Sequence, residues 1–321
     1  MLGLVLLLQA LTVAVSGPPT SPAYLPLRVA VAEGYFQREG LTVTLKTTRA
    51  EVGAAEALAQ GEADLAATSL EAMLRFGPRP RNQAARLVLA LTAAPPVALV
   101  VPTAFAGTVR SVEDLAGRRV GVTVPGAPEQ AWFSRLLARA GVRVAQVELV
   151  SLGSRGLVSA IENGDVQAGL LEEPHVSRLV REGRAAVLAD ARVPEAVKEA
   201  LGVVTVNAAV FARADRQPRD RNLVAFARAV LAAVDVIARS SPDAIAARLP
   251  RTVVGLGDEF ARRIEATRGM YLPDGWVEAE QLSESIALIR AHQPLPVTLR
   301  VPRADDMLHT APLRRAIQSR N

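Results

Sequence analysis

Short runs of apolar and β-branched residues alternate with stretches of helical periodicity from Leu11 onward, and this alternation restricts the chain to stacked βαβ units around mainly parallel sheets. LTVAV (11–15) reads as the first strand. The loop SGPPTSPAY (16–24) leads into a helix over 25–38, which stops before Gly40, a residue free to take the left-handed conformation beyond a helix end. LTVTL (41–45) puts Leu41, Val43 and Leu45 on one face of a second strand. A helix over 51–60 stops at Gly61, and ADLAA (63–67) is a short buried strand. Thr68 and Ser69 then cap a helix running to Phe76, and RLVLALTA (86–93) supplies a fourth strand.

Pro95-Pro96 interrupts this series, and VALVVP (97–102) is extended. A second series opens at Ser111-Val112-Glu113-Asp114, which has the form of a capping box. It continues through strand RRVGVTV (118–124), loop PGAP (125–128), a helix over 129–140, strand VELV (147–150), a helix over 157–163, strand DVQAGLL (165–171), loop EEP (172–174) and a helix over 175–182. VTVNAAVFA (204–212) is extended again, and helical segments follow near 218–239, 242–249, 258–268 and 276–291. The chain therefore leaves one α/β domain at 97, builds a second over 97–208, and returns, so that 11–96 and 209–321 form the first. Two crossings make a hinge. Ligands of open α/β sheets bind beyond the carboxyl ends of the strands, so two such edges facing across a hinge define a cleft able to close on a small molecule.

Composition removes several classes of function. The chain has no cysteine, which excludes disulfides, thiolate metal sites, cysteine nucleophiles and a lipidated N-terminal cysteine. A net charge of +5 raises the question of nucleic acid, but lysine occurs only at Lys46 and Lys198 and the arginines are scattered among acids. The densest basic group, Arg79, Arg81 and Arg86, is short, and 4% aromatic residues leave little to stack on bases, so no nucleic-acid partner is expected. The N-terminal run MLGLVLLLQA is too short for a membrane-spanning helix, which needs about 18–20 apolar residues. Residues 1–10 read either as a secretory signal lacking its basic start, with Leu2–Leu8 as the apolar region and Ala10 before the cleavage point, or as an ordinary buried segment.

His175, His292 and His309 are the only histidines, and none stands at metal-ligand spacing from another; no GxSxG elbow or phosphate-binding P-loop occurs. Gly255-Leu256-Gly257 lacks the third glycine and the acidic residue of a dinucleotide site, and Asp258 reads as the start of the next helix. No cofactor, metal or catalytic residue is therefore expected.

Several blocks together resemble a known family: Tyr24-Leu25-Pro26-Leu27 through Ala30, Glu33-Gly34-Tyr35-Phe36, Glu39-Gly40-Leu41-Thr42-Val43, Gly61-Glu62-Ala63-Asp64-Leu65, Asp114-Leu115-Ala116-Gly117-Arg118-Arg119-Val120-Gly121-Val122, Gly164-Asp165-Val166-Gln167-Ala168 and Glu173-Pro174. Their order is similar to that in the periplasmic substrate-binding proteins of nitrate/sulfonate/taurine (NitT/TauT-type) and thiamine-pyrimidine ABC transporters. The tail from Asp306 to Ala316 resembles that family's closing segment. The resemblance implies an α/β, two-domain periplasmic binding protein type II fold, an exported protein that hands a small polar solute to ABC permease subunits, and a monomer. It also admits a fold relative that is an enzyme, such as a cytoplasmic futalosine-pathway enzyme of menaquinone synthesis. The cysteine-rich motif of the fungal-type pyrimidine synthase is absent.

The candidate ligand contacts are the loop ends that face the expected cleft. Thr20 and Ser21 offer hydroxyls ahead of a helix whose first N–H groups are free for an anion or a polar edge. Thr68 and Ser69 stand at a second helix start, with plain capping as the alternative role, and Thr92 ends a strand at the crossing. Gly126 and Ala127 open the helix after PGAP, where relatives commonly carry Gly-Ser; Ala127 lacks that hydroxyl, which weakens a sulfonate or nitrate assignment. Glu172, beside Glu173, either meets a ligand amine or solvates a helix start. Tyr24 and Trp132 offer rings to a planar ligand or, alternatively, pack in the core.

Overall fold

The computed structural model of the protein describes residues 9–48, 51–123, 129–203, 205–292, 295 and 301–320. Their strands form two five-stranded sheets. The first sheet contains β1 (Gln9–Val15), β2 (Leu41–Thr47), β3 (Leu65–Ser69), β4 (Ala85–Ala90) and, arriving from far along the chain, β10 (Ala208–Arg213), in the order β2-β1-β3-β10-β4. The second contains β5 (Val97–Pro102), β6 (Arg119–Val122), β7 (Glu148–Ser151), β8 (Ala168–Glu172) and β9 (Ala185–Asp190), in the order β7-β6-β8-β5-β9. β10 runs antiparallel to β3 and β4, and β5 antiparallel to β8 and β9, whereas β2-β1-β3 and β7-β6-β8 pair in parallel. Each sheet is thus mainly parallel with one reversed strand, and the reversed strand is the one by which the chain enters that sheet from the other.

Burial explains which strands sit where. β3, β5 and β10 are buried along their whole length, as strands covered on both faces must be, and they occupy the interior of their sheets. β2 and β7 carry exposed residues and lie at the edges. Helix Asp220–Arg239 buries Leu223, Phe226, Val230, Val234 and Ile237 at helical spacing, and Phe36 stacks on Phe226 at 5.2 Å between ring centres. Phe36 is therefore a core residue.

The structure corrects several expected boundaries. The helix expected over 25–38 is two pieces, Leu25–Ala32 and Tyr35–Arg38, because Gly34 takes φ 69° between them and left-handed backbone cannot continue the turn. Thr68 is the fourth residue of β3, not a cap; Ser69 alone caps helix Leu70–Phe76, its Oγ accepting from Ala72 N at 3.1 Å. β1 begins two residues early, with Gln9 opposite Leu41 and Ala10 opposite Thr42, so a cut after Ala10 would remove two pairs from the sheet. β8 begins at Ala168 rather than at Asp165, because the Gln167 side chain instead accepts from Arg119 N at 3.0 Å. β9 and helix Pro194–Leu201 were not expected at all; β9 is a mostly half-buried strand stabilised by its pairing with β5. The capping box expected at Ser111 does not form, because the 3₁₀ turn Glu113–Leu115 starts from Val112 with no side-chain cap; instead the Asp114 carboxylate accepts from Arg110 N and Ser111 N, both at 2.9 Å, and from Ser111 Oγ at 3.2 Å, and these bonds hold its pKa below the ordinary carboxylate value.

Two glycines set the distance between the second sheet and its helix. Gly121 and Gly169 are register partners on β6 and β8, and a Cβ on them would lie 2.4 Å and 3.0 Å from Leu157 Cδ1 of helix Gly153–Asn163. Gly121→Val should therefore destabilise by about 1–3 kcal/mol through overpacking. Urea unfolding should show a lower midpoint with an unchanged m-value.

Candidate functional site

The two crossings run side by side and are stitched together by a threonine. Thr92, fully buried just beyond β4, exchanges backbone bonds with Ala208 (N to O, 3.2 Å) and Asn207 (N to Thr92 O, 3.0 Å). Its Oγ1 accepts from Ala208 N at 3.1 Å and from Asn207 Nδ2 at 3.3 Å. Thr205 Oγ1 donates to Ala93 O at 3.0 Å, and Asn207 Nδ2 also reaches Ala94 O at 3.4 Å. The chain thus passes between the sheets as a paired, hydrogen-bonded ribbon.

Against this ribbon lies an open recess of about 380 Å³, a volume that includes open solvent. The first sheet's side contributes Ser21, Tyr24 and Ser69, the crossings Pro95 and Asn207, and the second sheet's side Glu129 and Glu172. Each is positioned by local chemistry. Ser21 N closes a turn onto Pro18 O at 2.9 Å, and Pro22 starts the 3₁₀ turn that carries Tyr24. Tyr271 Oη donates to Pro22 O at 2.8 Å and fixes that turn from behind. Asn207 O accepts from Leu70 N at 2.8 Å, so the crossing also holds the start of the helix that Ser69 caps. Glu129 begins helix Glu129–Arg139, and its Oε1 accepts from Thr123 Oγ1 at 2.8 Å.

Glu172 is exposed at the end of β8, while its neighbour Glu173 is buried. Glu173 accepts from Ser177 Oγ at 2.8 Å and pairs with Arg192, which also bonds Asp190. Burial works against the Arg192 charge, but the bonds from Asp190 and Glu173 outweigh it and hold the guanidinium above its ordinary pKa. This buried network anchors the loop from which Glu172 reaches the recess, and it removes Glu173 from solvent.

A second recess, about 460 Å³, adjoins the first and shares Ser69, Pro95 and Asn207 with it. Its other walls include Glu71, Trp132, Ser285 and Ile289. Ser285 Oγ accepts from Val206 N at 2.8 Å, so helix Ala279–His292 is tied to the crossing. Trp132 is 4% exposed, and its indole N–H has no hydrogen-bond partner among the described residues.

Of the residues singled out from sequence, Ser21, Tyr24, Ser69 and Glu172 converge on the first recess. Thr20 is half-buried and lines neither recess. Thr68 accepts from Ser16 Oγ at 2.8 Å inside the core, and Thr92 is the stitch between crossings. Gly126 and Ala127 lie outside the described residues. Glu129 and Asn207 were not singled out. Asn207 is the one amide in the mostly apolar run VTVNAAVFA, and Glu129 is an acid at the first turn of an amphipathic helix; both signals were present. Among the described residues, no group of three histidine or acidic side chains stands close enough to hold a metal ion, and no helix is long and apolar enough to cross a membrane.

Thr92→Val should cost about 1–3 kcal/mol, because it removes the hydroxyl acceptor from the buried Ala208 N and leaves the half-buried Asn207 amide with Ala94 O alone. Denaturant unfolding would register the loss. Burial pushes the Tyr271 phenol well above the ordinary tyrosine pKa. The native state therefore keeps that proton after the unfolded chain has released it, and stability should fall as pH rises past about 10 toward the raised native value. Tyr271→Phe should lose the bond to Pro22 and flatten that alkaline decline, as measured by unfolding midpoints over a pH series.

Comparison with known structures places this geometry among periplasmic binding protein folds. A protein of Bordetella bronchiseptica RB50 is 24% identical with a TM-score of 0.78, and the match covers 97% of this chain and 98% of that one. The periplasmic aliphatic sulphonate binding protein SsuA of Escherichia coli is 16% identical with a TM-score of 0.75, over 95% and 99% of the two chains. The periplasmic nitrate-binding protein NrtA of Synechocystis PCC 6803 is 13% identical with a TM-score of 0.72, over 97% and 89%. No curated protein matches the chain. The NMT1/THI5-like family model matches residues 21–244, well over half of the sequence, and the chain belongs to that family.

Proposed function

We propose that the protein is the substrate-binding component of an ABC-type importer, which captures a small polar solute between its two domains and presents the closed form to permease subunits. The observation that carries this reading is the recess itself: its walls come from both sheets and its floor from the paired crossings, so a solute there touches both lobes at once. The proposed domains are 11–96 with 209–321 and 97–208; β1–β4 and β10, which begins at Ala208, form one sheet, and β5–β9 form the other. Relatives of this fold include proteins named for sulphonate and nitrate, and the proposed solute is of comparable size: a sulfonate, nitrate, taurine, a pyrimidine or a similar molecule. The proposed location is periplasmic or secreted, and the proposed state is a monomer without catalytic activity.

Closure is the proposed signal. Arg181, on helix His175–Arg181 beside the second sheet, stands 3.5 Å from Asp258 on helix Gly257–Thr267, which packs against the Pro22–Tyr24 turn of the first lobe. This pair bridges the lobes and would part on opening. Both partners are well exposed, so it contributes little by itself. A solute must supply the rest: moving the equilibrium from 1:99 to 99:1 requires about 5.5 kcal/mol of preference for the closed form.

A thermal-shift screen of small solutes should find at least one that stabilises by about 2.7 kcal/mol at 100 times its Kd. Small-angle scattering with that solute should show a smaller radius of gyration. A solute that binds without compaction would refute closure, and turnover of the solute would refute the transport role.

A further inference from the structure

Helix His175–Arg181 of the second lobe packs against helix Gly257–Thr267 of the first. His175, the residue that opens the former, is half-buried, and its Nδ1 is enclosed with no hydrogen-bond partner among the described residues. A neutral imidazole tolerates this, because its proton can sit on Nε2 and leave Nδ1 as a bare lone pair. A protonated ring carries N–H on both nitrogens, so it would bring a charge and an unanswered donor into the same enclosed place. The packed arrangement therefore favours the neutral ring.

The charged groups around the ring divide by lobe. On its own helix, Arg178 pairs with Glu162 of helix Gly153–Asn163 at 2.9 Å and with Glu182 at 3.2 Å. Glu173 is held by Arg192, which also bonds Asp190 at the end of β9; Glu172 ends β8, and β5 contributes no charged residue. All of these belong to the second lobe and travel with His175. From the first lobe come Glu259, Asp258 with its partners Arg181 and Arg262, and Arg263, which donates to Val253 O and Val254 O. Burial is the largest influence on the ring and, with Arg178, holds its pKa below the ordinary histidine value against Glu259, Glu173 and Glu162. Parting the helices would remove Glu259 together with the cover, and of the two influences burial is the larger.

We propose that closure of the lobes is linked to loss of a proton from His175, so that acidification opens the protein and releases its solute. This rests on the capture-by-closure reading above. The sign follows from linkage: the open form binds the proton more readily, so closure is fully available above the ordinary histidine value of about 6.5 and is lost as pH falls through it.

The test uses the full chain without solute. The chain has no cysteine, so Val180→Cys and Leu256→Cys, at exposed positions next to Arg181 and two residues before Asp258, place spin labels at two sites only, one on each lobe. Pulsed electron double resonance should show a short separation at about pH 8, and its population should fall severalfold by about pH 5. His175→Gln is neutral at every pH and retains the Arg181–Asp258 pair, and it should keep the short separation throughout. His309→Gln, at a site bonded to Gln217 within the first lobe, should leave the decline intact. His292 ends helix Ala279–His292, which packs on helix Glu129–Arg139 of the other lobe, and burial and Arg135 of that helix hold its pKa low. His292→Gln should therefore reduce the decline by less than His175→Gln does. With both His292 and His309 replaced by glutamine, His175 is the sole histidine, and its carbon-13-labelled Cε1–H signal should titrate over the pH range of the separation change. A separation that ignores pH, a decline that survives His175→Gln, or an imidazole that titrates while the labels stay close overturns the inference. Each of these leaves solute capture standing, which fails instead if a solute binds without compaction.

Discussion

The hydrogen-bonded pairing of the two crossings at Thr92 is the constraint on which the remaining geometry depends. One hydroxyl and one amide side chain, Thr92 and Asn207, tie the outgoing strand connection to the returning one. The same Asn207 holds the start of helix Leu70–Phe76 through its carbonyl, and Ser285 holds the next residue back through Val206. Each lobe is therefore referenced to the same short ribbon.

The polar groups around the ribbon differ in how they are held. On the first lobe they are hydroxyls at the starts of short helical turns, kept in place by backbone bonds and by the Tyr271 phenol behind Pro22. On the second lobe they are carboxylates, one at a helix start bonded to Thr123 and one on a loop fixed by the Glu173–Arg192–Asp190 network. A buried ion network of this kind adds little net stability compared with apolar packing, but removing one member leaves a charge without compensation. Its evident effect here is positional: it orients Glu172 while withdrawing Glu173.

Much of the architecture was legible because punctuation residues mark it. β5 was read with its true limits because Pro96 and Pro102 bracket an unbroken apolar run, and helix Glu51–Gln60 because Gly61 ends it. Ser21, Tyr24, Ser69 and Glu172, four of the expected contacts, line one recess and all sit at strand or helix ends, where local pattern already points to a loop edge. What escaped depends on tertiary pairing. β9 is ordered by β5, a partner over eighty residues earlier in the chain, and its own alanine-rich run carries weak strand character. Thr92 looked like a ligand contact because a hydroxyl at a strand end suggests one; only the arrival of residues 207 and 208 shows what the hydroxyl accepts.

The placement of β10 between β3 and β4 bears on how the polypeptide matures during translation. When β4 leaves the ribosome, the slot beside β3 is vacant, and the strand that fills it emerges more than a hundred residues later. The second lobe, by contrast, draws its whole sheet from one contiguous stretch and is complete while the first still lacks an interior member. Vectorial synthesis therefore favours assembly of the later lobe first, with the earlier lobe's exposed strand edges in need of shelter until the return segment docks.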